Sequence, residues 1–291
     1  MITVRIKGGL GNQLFQYATG YALSRQLETP LCFDPYLTKT MTNRTYKLPL
    51  LKLAYSNTVN RESLSKVVGL YKNRYINKGL RILHLGRLPL VKGLYYLETK
   101  DEYNVNLMHL WHKTIYLDGY FQSPSYFSEY RNELIMQITP RYDTGEQYEK
   151  YMRDIQSCNS VAIHVRRGDY KKDGNSFHYL LPLTYYNNAI SYMRAKVSSP
   201  KFFCFSDDID WVKNNLKADH QFEFVKLQTA NPDIDEMMLM KGCAHIIAAN
   251  STFSWWAAWL NESKAALRIV PTQPYGPPDM IPSDWVKIGL K

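Results

Sequence analysis

The chain has 291 residues, which is long for a single core and favours two domains. Because 45% of the residues are hydrophobic and low-complexity runs are absent, the composition excludes a disordered protein. The net charge of +10 comes from one segment, residues 39–100, where 13 lysines and arginines stand against two acidic residues.

The hydrophobic pattern alternates between short apolar β-branched runs and longer stretches of helical spacing. This alternation is typical of βαβ units around a parallel sheet, so the predicted fold class is α/β. In chain order we predict a strand at 2–6, a turn at 8–12, a helix at 14–27 and a strand from 31. After residue 158 we predict strands at 160–165, 202–205, 245–249 and 266–270. The helices predicted between and after these strands are 184–197, 209–217, 234–242 and 254–260. Two such series predict two Rossmann-like domains that face a central cleft, 1–150 with a basic insertion at 39–100, and 151–291.

The first residues alternate like a short strand with a charge inside it, unlike a signal peptide, and no apolar stretch approaches the ~18 residues of a membrane span. We therefore expect a cytoplasmic protein. Its four cysteines lack the paired spacing of a zinc site or a disulfide scaffold. The basic segment 39–100 fits a membrane surface, an anionic glycan carrier, nucleic acid, or an ordinary solvated face.

The glycine-rich segment 8–13 follows a strand and opens a helix, so its amides are candidates to face an anion or a sugar. It is half of a dinucleotide fingerprint, with Gly9 and Gly11 in place and Asp34 after the second strand, but Leu14 occupies the third glycine position. The alternative interpretation is a tight strand-to-helix turn.

The segment 164–170 lies at the carboxyl end of a predicted strand, where open α/β sheets bind ligands. Strand alternation places His164 and Arg166 on one face and Arg167 on the other. The Arg166 guanidinium is suited to clamp a diphosphate through two N–H groups. We expect Arg167 to be structural and paired to a carboxylate, and the alternative for both arginines is a surface ion-pair cluster.

Two further polar segments follow strands and open helices. Ser206, Asp207 and Asp208 are residue types that favour the start of a helix. The alternative is that they hydrogen-bond the ribose or guanine of a nucleotide. The segment 250–253 offers hydroxyls and helix amides to phosphate oxygens, with Phe253 placed to contact a base.

Two Asp-x-Asp pairs, Asp208 with Asp210 and Asp233 with Asp235, raise the possibility of a metal-bound diphosphate. We predict no metal site, because residues two apart at a helix start face different ways. Arg166 also supplies the positive charge that a metal would bring.

Together these motifs resemble the α-1,2-fucosyltransferase family. The segments that carry the resemblance are 8–18, 117–123 with 126–127, 164–170, 205–208 and 250–256. It runs from residue 2 to about residue 270, with 39–100 outside it. The family implies a GT-B fold and transfer of L-fucose from GDP-β-L-fucose to the 2-hydroxyl of a terminal β-galactose, with inversion and without metal or cofactor.

The resemblance also implies roles for individual residues. Arg166 resembles the arginine on the leaving diphosphate, and Asn12 resembles the asparagine that faces the donor sugar. Glu236 falls where related enzymes place an acid that reads guanine, although the family usually has Asp there. Asp169 is the nearest carboxylate for proton removal, or else it orients an arginine. The other donor-binding candidates are His164, Gly9, Gly11, Ser206, Asp207, Asp208, Asn250, Ser251, Thr252 and Phe253, and the acceptor-binding candidates are Tyr120 and Gln122.

Animal members of the family carry a membrane anchor and a stem, so we expect a bacterial enzyme that builds surface polysaccharide. The basic segment 39–100 then suits peripheral contact with the inner, anionic membrane face. Expected partners are GDP-fucose and a β-galactoside oligosaccharide or lipid-linked glycan, without nucleic acid. The alternatives are a GDP-fucose transferase of different acceptor linkage, a nicotinamide enzyme using Gly9, Gly11 and Asp34, and a non-enzymatic basic binder of glycans or nucleic acid.

Overall fold

Two six-stranded sheets organise the part of the chain that the structure describes. The structure is a computed structural model describing residues 1–35, 45–59, 66–71, 73–90, 93–168, 179–216, 219, 221–272 and 276–291. The chain divides into two units, Met1–Arg141 with Gly276–Met280, and Tyr142–Tyr275 with Ile281–Lys291. Each unit contains one of the sheets, which confirms the predicted α/β class with two Rossmann-like domains.

The sheet of the first unit has the order β3-β2-β1-β6-β5-β4, with every pair parallel except β4 and β5. Its strands are β1 Ile2–Arg5, β2 Leu31–Asp34, β3 Asn57–Thr58, β4 Arg87–Leu90, β5 Gly93–Leu97 and β6 Ile115–Asp118. Its helices are α1 Leu10–Gln26, α2 Lys66–Tyr71, α3 Arg74–Ile82, α4 Val105–Met108 and α5 Arg131–Gln137. The chain returns to this unit at the end, where Ser123 Oγ donates a hydrogen bond to the Asp279 carboxylate.

Helix α1 begins at Leu10, so the predicted turn at 8–12 is wrong over its last three residues. Gly9 is the N-cap, in extended conformation. Gly8 has a φ of +81°, and a Cβ added there would lie 2.7 Å from the Asn12 amide. The turn therefore occupies only two glycines, and the helix starts as soon as they have reversed the chain.

Residues 39–100 are not an insertion, contrary to the prediction, because β3, β4 and β5 lie within this segment and form half of the first sheet. Tyr95 and Leu97 of β5 are buried and pack with Val68 and Tyr116. These strands were not predicted because the segment is rich in lysine and arginine, which is typical of a solvated face. Residues 36–44, 60–65, 72 and 91–92 lie outside the described part of the chain.

The sheet of the second unit has the order β12-β11-β10-β7-β8-β9, and all its pairs are parallel. Its strands are β7 Ser160–Val165, β8 Lys201–Ser206, β9 Phe222–Phe224, β10 His245–Ile247, β11 Arg268–Pro271 and β12 Val286–Ile288. Its helices are α6 Gly145–Gln156, α7 Leu183–Lys196, α8 Ile209–Asn215, α9 Pro232–Gly242 and α10 Thr252–Leu260. The predicted boundary at 150/151 falls inside α6, whereas the chain passes from one unit to the other after Arg141.

The core of the second unit lies on both faces of β7, the central strand. Val161 and Ile163 pack against Phe202, Tyr185 and Ile269 on one side. The three tryptophans of α10 are also buried; they are Trp255, Trp256 and Trp259. Among the described helices of both units, none is long and apolar enough to cross a membrane.

Candidate active site

Two arginines leave the carboxyl end of β7 and meet two aspartates that leave the parallel neighbour β8. Arg166 Nη1 lies 2.9 Å from Asp207 Oδ2. Arg167 Nε lies 3.3 Å from Asp208 Oδ2, and its guanidinium stacks 3.4 Å from the centre of the Trp211 ring. Arg167 thus has the carboxylate partner that was predicted for it.

Asp207 holds the backbone of this turn as well as the Arg166 side chain. Its carboxylate accepts hydrogen bonds from the N–H groups of Arg167 at 2.8 Å and Gly168 at 2.9 Å. A Cβ at Gly168 would come within 2.8 Å of the same carboxylate, so a side chain at this position would displace the carboxylate from its present place. The Ser206 hydroxyl adds a bond to the carbonyl of Val165 at 2.7 Å.

Ser206, Asp207 and Asp208 therefore act on the 165–168 segment itself. Ser206 Oγ also accepts from the N–H of Asp208 at 3.0 Å, which is the capping interaction expected at the start of α8. Because their polar atoms bond within the protein, these residues position Arg166 and Arg167. A direct contact with ribose or guanine stays a prediction.

His164 is buried one residue before the end of β7, and its ring lies 5.4 Å from that of Phe253. Burial, and then the charge of Arg166, lower the pKa of His164 to about 3. The imidazole is therefore neutral at any physiological pH. Its Nδ1 has no hydrogen-bond partner within the described structure. A neutral ring with an unused nitrogen beside an arginine is suited to hydrogen-bond a ligand without adding charge.

The start of α10 lies at the same edge of the sheet. Ser251 is the N-cap, and its Oγ accepts from the N–H of Phe253 at 3.3 Å. Thr252 and Phe253 are half-buried in the first turn. Asn250 is buried and its amide donates to the carbonyl of Tyr179 at 2.9 Å. The helix dipole and first-turn amides make this end of α10 attractive to a phosphate.

Helix α9 contributes two neighbouring acids with different surroundings. Asp235 is fully buried and accepts from the hydroxyls of Tyr142 at 2.7 Å and Thr229 at 2.5 Å. Glu236 is half-buried, and burial, followed by the charges of Asp233, Asp207 and Asp235, raises its pKa to about 7. It has no hydrogen-bond partner among the described residues. Asp235 is thus structural, and Glu236 is the acid that stays available to a ligand.

The contacts link these groups into one cluster at the carboxyl edge of the second sheet. His164 touches Phe253, Arg166 touches Asp207, and Asp207 is close enough to Glu236 to raise the pKa of that acid. Asp169, the candidate for proton removal, lies outside the described residues.

At the carboxyl edge of the first sheet, the structure brings together Asn12 and Gln122. Gln122 Nε2 donates to Asn12 Oδ1 at 2.8 Å. Tyr120 is exposed at its ring, and Lys7 Nζ lies 4.7 Å above the ring centre. Gly9 and Gly11 stand at the start of α1, one turn or less from Asn12.

Sequence reasoning missed the two acids beneath this edge. Asp118 ends β6 and is fully buried, accepting from Lys7 Nζ at 2.9 Å, from the Tyr95 hydroxyl at 2.6 Å and from Arg5 Nη1. Burial alone would raise the pKa of Asp118, but the charges of Lys7 and Arg5 hold this pKa well below its usual range. Its position after an alternating apolar run was the signal available in the sequence.

Glu98 follows β5 and accepts hydrogen bonds from the backbone of the turn at 119–122. Its carboxylate accepts from the N–H groups of Tyr120 at 2.6 Å and Phe121 at 2.8 Å, and Phe121 has a left-handed φ of +53°. Burial raises the pKa of Glu98 to about 7 in spite of these bonds and the charge of Lys7. The turn that presents Tyr120 and Gln122 is therefore held in a strained conformation by one buried carboxylate.

No group of three or more His, Cys, Asp or Glu residues in the described parts of the chain is arranged to hold a metal ion. The Asp208–Asp210 pair is divided, since Asp208 binds Arg167 and Asp210 lies exposed on α8. Metal independence remains a prediction.

The profile of the family described as glycosyl transferase family 11 matches residues 1–280. The chain belongs to glycosyl transferase family 11. The match confirms the predicted enzyme class, glycosyltransferase, and the resemblance to α-1,2-fucosyltransferases. It also includes 39–100, so the prediction that this segment lies outside the resemblance is wrong.

Curated relatives cover nearly the whole chain. An alpha-1,2-colitosyltransferase of Escherichia coli is 30% identical and covers 99% of both chains. The O-antigen biosynthesis glycosyltransferase WbnK of Escherichia coli is 29% identical over 91% of this chain and 92% of its own. The galactoside 2-alpha-L-fucosyltransferase Sec1 of Mus musculus is 27% identical over 95% of this chain and 69% of its own.

Solved structures with a similar fold are fucosyltransferases. NodZ alpha-1,6-fucosyltransferase soaked with GDP-fucose superposes with a TM-score of 0.54 at 13% identity, covering 89% of this chain and 92% of that chain. Fucosyltransferase NodZ from Bradyrhizobium gives a TM-score of 0.55 at 14% identity, covering 88% and 92%. At these identities the likeness concerns the fold, and it confirms the predicted GT-B-like architecture.

Proposed function

We propose that this glycosyltransferase moves L-fucose from GDP-β-L-fucose to the 2-hydroxyl of a terminal β-galactose, with inversion and without a metal. The observation that carries the proposal is Arg166, anchored by Asp207 at the carboxyl end of the central strand in a chain of family 11. The first unit, with Tyr120 and Gln122, takes the acceptor side. The second unit binds the donor.

The leaving group gains negative charge as the glycosidic bond breaks, so groups that meet this charge act on the transition state more than on the ground state. Arg166 and the amides at the start of α10 are the groups in place for the diphosphate. Phe253 and Glu236 serve the guanine end, where a carboxyl with a pKa near 7 accepts from base N–H groups when ionised. Neutral His164 donates or accepts a hydrogen bond beside Arg166.

The acceptor hydroxyl attacks the anomeric carbon from the face opposite GDP, and its proton leaves as the new bond forms. We propose Asp169 as the carboxylate that takes this proton or orients an arginine, and Asn12 as a contact of the donor sugar. In this scheme Gly9 and Gly11 allow the ligand to approach the start of α1 closely.

A second donor is favoured by one comparison, the alpha-1,2-colitosyltransferase at 30% identity over 99% of both chains. L-colitose is L-fucose without its 3-hydroxyl. A site that hydrogen-bonds this hydroxyl discriminates strongly against the deoxy sugar, whereas a site that merely encloses it does not.

The test is to incubate the protein with GDP-fucose or GDP-colitose and a panel of α- and β-galactosides, and to determine the product linkage by NMR. We expect an α-1,2 linkage to a β-galactoside, with turnover unchanged in EDTA. Transfer of colitose alone would show that GDP-colitose, and not GDP-fucose, is the donor. A linkage other than α-1,2 would show that a different acceptor hydroxyl is used. Turnover that is lost in EDTA and restored by Mg²⁺ or Mn²⁺ would refute the metal-free mechanism.

For location we propose a cytoplasmic protein in peripheral contact with an anionic membrane, acting on a lipid-linked glycan. The similarity to WbnK, an O-antigen biosynthesis glycosyltransferase, is consistent with an acceptor of this kind. Fractionation of cells into cytosol and membranes, with and without a high-salt wash, measures this association.

A further inference from the structure

Helix α3 has its polar face turned toward the protein. The Asn77 side chain donates to Asp118 Oδ2 at 3.3 Å, and Arg81 Nε donates to Asn77 Oδ1 at 3.0 Å. Arg81 Nη1 also donates to the carbonyl of Glu98. Leu80 packs on the small cluster around Tyr95. These inward contacts fix the rotation of α3 about its axis.

The opposite face of α3 is apolar and open to solvent. Tyr75 is 82% exposed, Ile82 is 68% exposed and Leu83, the C-cap, is 67% exposed. Positions 75, 82 and 83 follow the helical spacing i, i+7, i+8 and so share one side. Leu70 and Leu85 on either flank are also exposed. We call these five residues the outer patch.

The sequence around the outer patch carries charge of one sign. Residues 66–97 contain seven lysines and arginines and no Asp or Glu. Lys78 is exposed on α3, one turn from Tyr75. An apolar helix face beside an exposed lysine, within a basic stretch of the sequence, suits a surface helix that enters the interface of an anionic bilayer. Nucleic acid would use the charge and the tyrosine but leave the aliphatic residues without a partner.

We propose that the outer patch docks on an anionic lipid bilayer, with Ile82 and Leu83 entering the headgroup boundary and Lys78 pairing with lipid headgroups. On the inward face of α3, Asn77 contacts the Asp118 side chain and Arg81 contacts the backbone carbonyl of Glu98. Those two acids support the turn that carries Tyr120 and Gln122. The docked membrane thus lies one helix away from the acceptor turn, and the acceptor class is a glycan on a membrane lipid. This last step rests on the proposed function.

Docking is tested by sedimentation with sucrose-loaded vesicles, either pure phosphatidylcholine or a mixture of two parts phosphatidylcholine and one part phosphatidylglycerol. We expect binding to the anionic vesicles that weakens with salt. The double variant Ile82→Ser, Leu83→Ser should reduce the partition coefficient about tenfold or more, and Lys78→Glu by several-fold. Matched controls are Met136→Ser, at a residue 68% exposed on α5, and Lys150→Glu on α6.

Equal binding to both kinds of vesicle, or equal losses in patch and control variants, would overturn the proposal. So would binding of poly(U) RNA that depends on Lys78 while vesicles stay unbound. Melting temperatures verify that each variant is folded. Vesicle binding requires no turnover, so its outcome is independent of the donor and acceptor assays. If both proposals hold, the double variant keeps its turnover on a soluble galactoside and loses turnover on a vesicle-embedded one.

Discussion

Replacing Asp207 by Asn tests whether the carboxylate positions Arg166. The variant keeps the size of the side chain but loses the ion pair to Arg166 at 2.9 Å, in which both side chains are 25% exposed. At this exposure the pair is worth about 0.5–1 kcal/mol. The amide also turns a donor toward the N–H of Arg167 or Gly168, both now bonded to oxygen, which costs about 1–3 kcal/mol.

The two losses together amount to about 1.5–4 kcal/mol. If all of this is felt where Arg166 meets the diphosphate, kcat falls about 10- to 1000-fold, because ~1.4 kcal/mol corresponds to a factor of ten. For a domain of this size the melting temperature should fall by about 3–16 °C, so rates must be measured well below the transition. The assay is initial-rate kinetics with GDP-fucose and the best galactoside.

The control is Asp210→Asn, the same change on an exposed aspartate of α8. A reduction in kcat for Asp207→Asn with little change in the donor KM supports a positioning role. Wild-type kcat in a variant whose melting temperature has fallen would refute it, since the carboxylate would then only stabilise the turn.

Three further predictions concern the same two edges. Arg166→Ala should lower kcat by about 10²-fold, and Arg166→Lys should recover little, because an ammonium cannot reproduce a two-pronged contact. Arg167→Ala should mainly lower the melting temperature, since it removes the stack on Trp211 and the bond to Asp208. For Glu98→Gln the pH dependence of unfolding should change. Burial raises the pKa of Glu98 to about 7 in the folded chain, so between pH 4.5 and 7 the folded state keeps a proton that the unfolded state has released. The contribution of Glu98 to the free energy of unfolding is complete below pH 4.5 and is lost, by about 2–3 kcal/mol, as the pH rises through 7. The Gln variant has no titratable group at this position, so its free energy of unfolding shows no such loss.

Each of these predictions has an opposing outcome. Near-wild-type turnover in Arg166→Ala, or a stable but inactive Arg167→Ala, would show that the two arginines have exchanged roles. Urea unfolding at pH 5, 6, 7 and 8 measures the third effect, with the exposed Glu102→Gln as the control. Parallel pH profiles for wild type and Glu98→Gln would mean that Glu98 titrates near its ordinary pKa.

The second unit was predictable because its central strands are continuous apolar runs buried on both faces. Strand β7 was predicted residue for residue at 160–165, and its neighbours to within two residues. The first unit was harder. Strand β4 contains Pro89 and pairs antiparallel at the edge of the sheet, and the lysines and arginines around it suggested a solvated insertion.

Within the site, strand alternation predicted different faces for Arg166 and Arg167, but β7 ends at Val165 and both arginines pair with neighbouring aspartates. The role of Asp207 was out of reach, since it depends on the register in which Val165 of β7 pairs with Ser206 of β8. Neither Glu98 nor the preceding strand β5 was predicted from the sequence. Only the folded sheet brings Glu98 beside the amides of Tyr120 and Phe121. Local patterns therefore indicated the polar segments at the carboxyl edge of the second sheet, and long-range pairing decided which acids support them.

The return of Gly276–Met280 to the first unit has a consequence for biosynthesis. On the ribosome, residues 1–141 emerge early, but the partner of Ser123, Asp279, is added only after the entire second sheet except β12 has been translated. The first unit therefore lacks this segment while more than 130 further residues are translated. Completion of the first unit therefore depends on translation of most of the second unit.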